Sequence, residues 1–181
     1  KKILSNKNIT CKAVITEAGG EKDIEKGLQQ AIAANDSIGG IVECRVNGLP
    51  IGLGEPFFDS VESMISHAVF SIPAIKGIEF GAGFAASKMR GSEHNDALEN
   101  ESGKTATNHA GGIVGGLTNG NEIVFRVAVK PTSSTPKEQH SLNTESGKME
   151  DFSVSGRHDL CIALRVPVVL EAVAAIVLAD L

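Results

Sequence analysis

Residues 130–135, Lys-Pro-Thr-Ser-Ser-Thr, form a segment whose side chains could hold an anion. The segment follows an alternating apolar run and offers one cation, four hydroxyl groups and several backbone amides. Charge-assisted hydrogen bonds from such groups suit a phosphate. The same composition is equally typical of a polar loop at the end of a strand. The residues alone therefore leave both interpretations open.

A second segment, Arg157-His158-Asp159, places a guanidinium, an imidazole and a carboxylate just before a predicted buried helix. A carboxylate at a helix N-terminus is favoured in its ionised form by the helix dipole. The competing interpretation makes Asp159 a simple N-cap, because Asp is strongly preferred at that position. Without further information the N-cap interpretation is favoured.

Residues 108–116, Asn-His-Ala-Gly-Gly-Ile-Val-Gly-Gly, place four glycines within six positions beside a predicted strand. Glycine at such density lets either a ligand or another backbone come close, and backbone packing is the favoured interpretation. No Gly-Lys-Ser/Thr follows, and the glycine spacing does not match the dinucleotide-binding fingerprint.

No metal site is predicted. Cys11, Cys44 and Cys161 are widely separated in sequence, which indicates neither a disulfide framework nor a zinc site and predicts reduced, buried thiols. His94 and His109 have no partners at metal-ligand spacing and are expected to serve structure or contact solvent.

The composition indicates one soluble domain over residues 1–181, since 41% hydrophobic residues are enough for a core. A net charge of -5 argues against duplex nucleic acid as the main partner. The apolar stretch 166–179 is interrupted by Glu171 and is shorter than the ~20 residues of a membrane span, so a buried helix is expected. No signal peptide is recognised, and the missing initial Met is what a fragment or processed product would show.

Apolar periodicity and breakers predict a mixed α and β chain, with Pro56 in the first turn of the second helix. Asn119-Gly120, between the apolar runs 113–117 and 123–129, predicts a β-hairpin. Polar stretches at 91–107 and 131–152 exceed usual connection lengths and are expected to be lids, binding loops or mobile segments. Strands and helices are expected over residues 12–16, 21–35, 41–46, 56–72 and 161–181.

Seven short motifs, in register across nearly the whole chain, together resemble those of the chorismate synthase family. Each motif is weak alone, but their joint order is specific. The resemblance covers the C-terminal half of the family's usual length. The motifs are Asp36-Ser37-Ile38-Gly39-Gly40, Gly52-Leu53-Gly54-Glu55-Pro56, Ser71-Ile72-Pro73-Ala74-Ile75-Lys76-Gly77, Arg90-Gly91-Ser92, Asn108-His109-Ala110-Gly111-Gly112, Lys130-Pro131-Thr132 and Gly156-Arg157-His158-Asp159.

The resemblance implies an α+β fold, namely a β-α-β sandwich of which this chain supplies one antiparallel sheet with packed helices. It implies a phosphate lyase of the shikimate pathway that converts 5-enolpyruvylshikimate 3-phosphate to chorismate by 1,4-elimination of phosphate. The implied cofactor is reduced FMN (FMNH2), reduced either with NADPH or by a separate reductase. The implied protein is a cytoplasmic homotetramer of aromatic amino acid biosynthesis, without nucleic-acid or membrane partners.

By motif, the resemblance carries the family's flavin contacts and its catalytic carboxylate onto this sequence. Asp159 matches the carboxylate thought to help remove the proton of flavin N5, which is general-base work. Lys130 and Arg157 would supply the fixed cations that phosphate and carboxylate groups need. The implied FMN contacts are Pro73, Ala74, Gly115, Lys130, Pro131, Thr132, Ser133, Ser134 and Arg157, and no metal ligand is implied.

The sequence departs from the family pattern in places. Leu160 stands where the family usually has Pro, and Pro167 comes one position early, which concerns the helix entry more than the site. The family's N-terminal signatures, which carry two histidines regarded as proton donors, have no counterpart here. The isolated chain is therefore expected to be inactive without that half. The alternative is a non-catalytic FMN-binding or assembly fragment.

Overall fold

The computed structural model describes residues 2–181, with side chains from residue 4 onwards. Helices, strands and three short 3-10 turns follow one another along the chain. The strands that pair in the main sheet are therefore separated by other elements in the sequence. The elements are α1 (Lys2–Ser5), β1 (Thr10–Ala18), α2 (Ile24–Ala34), β2 (Gly40–Asn47), α3 (Val61–Val69), β3 (Ile75–Phe80), α4 (Gly91–His94), β4 (Ile113–Val114), β5 (Leu117–Thr118), β6 (Ile123–Val129), β7 (Gln139–Asn143), β8 (Lys148–Phe152) and α5 (Val166–Asp180).

A four-stranded antiparallel sheet with the order β1-β2-β6-β3 forms the centre of the fold. Alternate residues of β2 and β6 point to the same face, as the period of two requires. Val42 and Cys44 of β2 are fully buried, as are Phe125 and Val127 of β6 opposite them. The predicted α+β class, with one antiparallel sheet and packed helices, is confirmed.

Helices α3 and α5 cover the apolar face of the sheet. Leu170 and Ala174 of α5 are fully buried, whereas Val168 and Ile176 on the other side of the helix are 67% and 70% exposed. By length and composition Ile162–Asp180 would suffice to cross a membrane, a test that the core helix of a soluble protein also passes. The predicted buried helix is thus buried on one side, where it closes the core.

Two side-chain caps define where α2 and α3 begin. Asp23 accepts a hydrogen bond from the amide of Lys26 at the start of α2, and Ser60 does so from Ser63 at the start of α3. Pro56 was expected in the first turn of α3, and that prediction is wrong. A 3-10 turn, Phe57–Asp59, separates Pro56 from the helix, because the Ser60 hydroxyl provides the cap.

The predicted hairpin around Asn119-Gly120 does not form. β5 pairs with β4 through the turn at Gly115 and Gly116, while β6 pairs with β2 on one edge and β3 on the other. Because both edges of β6 are occupied by long strands, no edge remains for β5. Asn119 instead accepts a hydrogen bond from the Asn121 amide within the connection.

Charged side chains lie on the opposite face of the sheet and alternate in sign across neighbouring strands. Arg126 of β6 lies between Glu43 of β2 and Glu79 of β3, with nitrogen–oxygen distances of 3.6 and 2.8 Å. Arg45 contacts Glu43 at 2.7 Å and Glu122 at 2.6 Å. Opposite charges directly across strands stabilise a sheet modestly, and here they define the polar face.

A single carboxylate organises the polar stretch 91–107. Asp96 accepts hydrogen bonds from the Thr107 hydroxyl at 2.7 Å and from the amides of His109 and Ala110 at 2.7 and 2.9 Å. Burial by itself raises the pKa of Asp96, but the hydrogen bonds outweigh burial and hold that pKa below its ordinary value. The stretch is therefore folded onto the glycine-rich segment 108–112.

The polar stretch 131–152 contains the hairpin of β7 and β8, which the composition did not indicate. His140 pairs with Asp151 across the hairpin at 2.5 Å. Nearly all of its side chains are exposed, including Leu142 and Met149 on one face. The hairpin therefore stands out from the sheet as a projecting arm.

All three cysteines are buried and none is in a disulfide within the part of the chain described. Burial raises the pKa of the Cys161 thiol, which favours the protonated form. The expectation of reduced, buried thiols agrees with this arrangement.

Replacing Leu170 by Ala should lower the free energy of unfolding of the chain by about 2–5 kcal/mol, because a fully buried side chain is removed from the sheet–helix contact. Ile176→Ala in the same helix is the matched control, since its side chain is 70% exposed. Urea titration followed by circular dichroism measures both. Similar losses in the two variants would contradict the described orientation of α5.

Protection of the Ala110 amide from hydrogen exchange should depend on ionised Asp96. Because the folded pKa of Asp96 is depressed, its stabilisation is complete above the unfolded Asp pKa of about 3.9 and is lost as the pH falls through the folded value. Asp96→Asn should reduce protection already at pH near 7, because one acceptor oxygen is lost. Glu101→Gln, an exposed control in the same stretch, should not. Unchanged protection in Asp96→Asn would refute the role.

Candidate functional site

The end of β6 places the Lys130 segment beside the entry to β3. The amide of Lys130 donates to the carbonyl of Ala74 at 2.9 Å, next to the pairing of Val129 with Ile75. Pro73, Ala74 and Lys130, predicted from separate motifs, are therefore neighbours. The Lys130 side chain is exposed, so that its ammonium group is available to a ligand.

The hydroxyl groups that follow Lys130 differ in burial. Ser133 is exposed, Ser134 is half-buried and Thr135 is buried. The Thr132 hydroxyl oxygen is buried and has no hydrogen-bond partner among the residues that the structure describes. Because a buried polar atom without a partner is costly, this hydroxyl is one that a ligand could satisfy.

Asp36 and Ser37, which follow α2, form hydrogen bonds to residues 132–137 after Lys130. The Asp36 carboxylate accepts hydrogen bonds from the Thr135 hydroxyl at 3.1 Å and from the Lys137 ammonium at 3.2 Å. The Ser37 hydroxyl donates to the carbonyl of Thr132 at 2.6 Å. The Ser37 amide, then Lys137 and Thr135, lower the pKa of Asp36, which favours its ionised form.

The next two residues, Ile38 and Gly39, contact the segment that carries Asp159. The amide of Ile38 donates to the carbonyl of Leu160 at 2.9 Å, and the Cys161 sulfur lies 3.8 Å from the carbonyl oxygen of Gly39. A cavity of about 320 Å³ opens between these segments. It is lined by Ala31, Ile32, Asn35, Asp36, Ser37, Thr135, Pro136, Gly156, His158, Asp159 and Leu160.

Asp159 faces this cavity and is not an N-cap. A 3-10 turn, Ile162–Arg165, precedes α5, and the N-cap position of α5 is occupied by Arg165. The N-cap interpretation of Asp159 is therefore wrong. Its carboxylate instead pairs with the Arg165 guanidinium at 2.7 Å and remains about a third exposed.

Arg157 and His158, beside Asp159, differ in their surroundings. Arg157 is exposed and lies two residues from Asp159. His158 is held by a 2.8 Å hydrogen bond between its Nε2 and the carbonyl of Val154, which favours a structural role.

Gly115 lies at the other end of α3 from Pro73, Ala74 and Lys130. The amide of Val61, the first residue of α3, donates to the carbonyl of Gly116, whereas Pro73 and Ala74 follow the last turn. Nine helical residues span about 14 Å. A β-carbon at Gly115 would meet no atom within 4 Å, so the position is open. A ligand touching both ends would have to be elongated.

This arrangement can hold an anion and present a carboxylate nearby. The exposed cation of Lys130 and the Thr132–Ser134 hydroxyls suit a phosphate or another anionic oxygen. Asp159, which lines the same cavity as Thr135, is a hydrogen-bond and proton acceptor. Among the described residues there is no cluster of His, Cys, Asp and Glu able to hold a metal ion.

Asp36 and Ser37 also take part in this site, and neither is among the site residues predicted from the sequence. Their available signal was the motif Asp36-Ser37-Ile38-Gly39-Gly40, which follows a helix and precedes a strand. Local sequence does not show that these residues meet a segment about a hundred positions later.

Comparison with known proteins gives a consistent result over nearly the whole chain. The family model described as chorismate synthase matches residues 2–181. The chain is 76% identical over 180 residues to a chorismate synthase of Chitinophaga pinensis, covering 99% of this chain and 54% of that protein. A chorismate synthase of Dehalococcoides mccartyi is 43% identical over 180 residues, covering 98% of this chain and 48% of the relative.

Among solved structures, one described as a crystal structure of chorismate synthase superposes with a TM-score of 0.78 at 26% sequence identity. The superposition covers 99% of this chain and 59% of the other. The chain thus spans about half the length of the curated relatives that it matches, 54% and 48% in the two given above.

Proposed function

Because this chain belongs to the chorismate synthase family, we propose that it forms part of an enzyme that eliminates phosphate from 5-enolpyruvylshikimate 3-phosphate to give chorismate. The reaction is a 1,4-elimination of the shikimate pathway and uses reduced FMN. The proposal covers the complete enzyme, of which this chain supplies the Lys130 segment and Asp159.

The observation that carries the proposal is the buried Thr132 hydroxyl, which lacks a partner among the described residues and lies two residues after an exposed lysine. An anionic oxygen at this place would satisfy the hydroxyl and be attracted by the Lys130 charge. Both FMN and the substrate carry phosphate groups, so the chemistry of the donors fits either molecule.

FMN also fits the separation between the predicted contacts. Its ring system and its phosphate are joined by a ribityl chain, so the molecule is elongated. Ala74 and Lys130 lie at one end of α3 and Gly115 at the other, about 14 Å away along the helix. The proposed FMN-binding residues are Pro73, Ala74, Gly115, Lys130, Pro131, Thr132, Ser133, Ser134 and Arg157.

Reduced FMN, when bound, supplies an electron-rich ring that assists departure of phosphate without net oxidation. The residues of this chain bind and orient the anionic groups of the ligands, and one of them accepts a proton. Lys130 and Arg157 attract the anionic groups, and the hydroxyls of Thr132 and Ser134 orient them. The Asp159 carboxylate would accept the proton of flavin N5 as a general base, with Arg165 holding the carboxylate in orientation.

We assign to the complete protein a cytoplasmic location, a homotetrameric state and NADPH as a reductant of the flavin, in keeping with the family. The second candidate is a non-catalytic FMN-binding or assembly fragment. The buried Thr132 hydroxyl and the exposed Lys130 fit this candidate too, because binding an anion needs no proton acceptor. Under the second candidate the purified chain binds FMN without forming chorismate, and the complete gene product forms no chorismate. Turnover by the complete gene product therefore separates the two candidates.

Lys130→Ala, in the complete gene product, should weaken FMN binding by about 1.5–3 kcal/mol, the range for hydrogen bonds to charged groups. Quenching of flavin fluorescence measures the affinity. Lys88→Ala is the matched control, because Lys88 is an exposed lysine in the 3-10 turn Gly83–Lys88. If both variants bind FMN as the unaltered protein does, Lys130 has no role in holding the flavin.

Asp159→Asn should reduce turnover about 10²- to 10⁴-fold while leaving FMN affinity nearly unchanged, because proton acceptance is lost but size is kept. Chorismate formation with reduced FMN is the measurement. Arg165→Met removes the same ion pair but keeps the carboxylate, and should cause a much smaller loss. Equal losses in the two variants would indicate that only the ion pair matters.

A further inference from the structure

We propose that Asp36 and Ser37 are positioning residues that hold the Lys130–Thr135 loop at a set distance from Asp159 and thereby determine the affinity for flavin. This inference rests on the proposed function and assigns a role to the segment Asp36–Gly39. Neither side chain is taken to touch the substrate or the flavin. Both act through the loop that does.

The loop depends on this segment for its attachment. After Lys130, whose amide bonds to Ala74, the chain leaves the sheet. Between residues 131 and 137 of the described chain, each hydrogen bond to another segment ends on Asp36 or Ser37. Pro131 adds no amide donor, so the loop backbone cannot continue the strand pairing there.

Two kinds of hydrogen bond attach the loop to Asp36 and Ser37. The Ser37 hydroxyl holds the backbone of Thr132, the residue whose own hydroxyl is buried without a partner among the described residues. The Asp36 carboxylate holds the side chains of Thr135 and Lys137. The Ser37 contact sets the position of the Thr132 hydroxyl, which would donate to the anion, and the Thr135 contact holds the far end of the loop, with Lys137 lying beyond it.

The segment Asp36–Gly39 is itself held in place at both ends, so it can fix the position of the loop that bonds to it. Asn35 caps α2 in the left-handed conformation at φ 49°, and the Asp36 amide bonds to the carbonyl of Ala31. Gly39 is packed so closely that a β-carbon there would lie 2.4 Å from the carbonyl oxygen of Val129. A fixed helix end and a fixed strand end therefore flank the two side chains.

The segment Asp36–Gly39 also bonds to the residues that follow Asp159. The Ile38 amide bonds to the Leu160 carbonyl at 2.9 Å, one residue after the carboxylate. Consecutive residues thus bond to the anion-binding loop on one side and to the Asp159 segment on the other. Loosening residue 37 would let the two parts of the site move independently.

The test uses FMN itself as the probe and the complete gene product as the protein. Ser37→Ala should weaken FMN binding about 5-fold, and Asp36→Ala about 10- to 100-fold, because the second removes hydrogen bonds to a charged group. Ser37→Thr keeps a hydroxyl, and Asp36→Asn keeps the oxygen that accepts from Thr135. Both conservative variants should restore affinity to within about 3-fold of the unaltered protein.

Lys137→Met is the matched control for charge. It removes only the exposed ion pair to Asp36, so FMN affinity should stay within about 3-fold. Circular dichroism and the melting temperature report whether each variant is folded. If Asp36→Ala does not fold, Ser37→Ala decides the question alone. FMN affinity that is unchanged in Ser37→Ala, or not recovered in the folded conservative variants, overturns the inference.

Hydrogen exchange of the backbone amides of residues 132–135 and of Lys137, measured without FMN, separates this inference from the proposed function. Exchange there should be faster in Ser37→Ala than in the unaltered protein, and unchanged exchange overturns the positioning role. If the unaltered protein does not bind FMN, the proposed function fails, and the flavin part of the inference with it. Binding by the unaltered protein with equal binding by Ser37→Ala overturns the inference only.

Discussion

The pairing of β6 with β2 on one edge and β3 on the other is the constraint on which the rest of the structure depends. A shift of one residue in this register would turn Phe125 to the polar face and bring Arg126 into the core. The same register fixes where the strand ends, and therefore where Lys130 meets Ala74. Core packing and the position of the anion-binding loop thus have a common cause.

The two parts of the candidate site come from segments far apart in sequence. The Lys130 segment leaves the sheet at β6, and Asp159 lies before α5, with the β7–β8 hairpin between them. They meet because α2 ends where both can be reached, so that Asp36 and Ile38 bond to one segment each. In this structure the residues that follow a helix organise the site.

Local patterns predicted those features that depend on local physics. Apolar periodicity and the motifs shared with the family predicted the fold class, and the structure places the motif residues Pro73, Ala74 and Lys130 next to one another. The Asn119-Gly120 hairpin failed because competition for the edges of β6 is a property of the whole sheet. Asp159 failed as an N-cap because an intervening 3-10 turn moves the helix start to Val166. The bonds made by Asp36 span about a hundred residues, which no local pattern encodes.

The hairpin of β7 and β8 connects the two parts of the site along the chain. Its base is held at Lys137 by Asp36, so the segments on either side are located by contacts other than the hairpin itself. Loop-closure entropy grows slowly, by about 0.6 kcal/mol for each doubling of loop length. The turn at Gly147 is therefore a place where chain length can vary, or a reporter peptide can be inserted, while the spacing of the site is preserved.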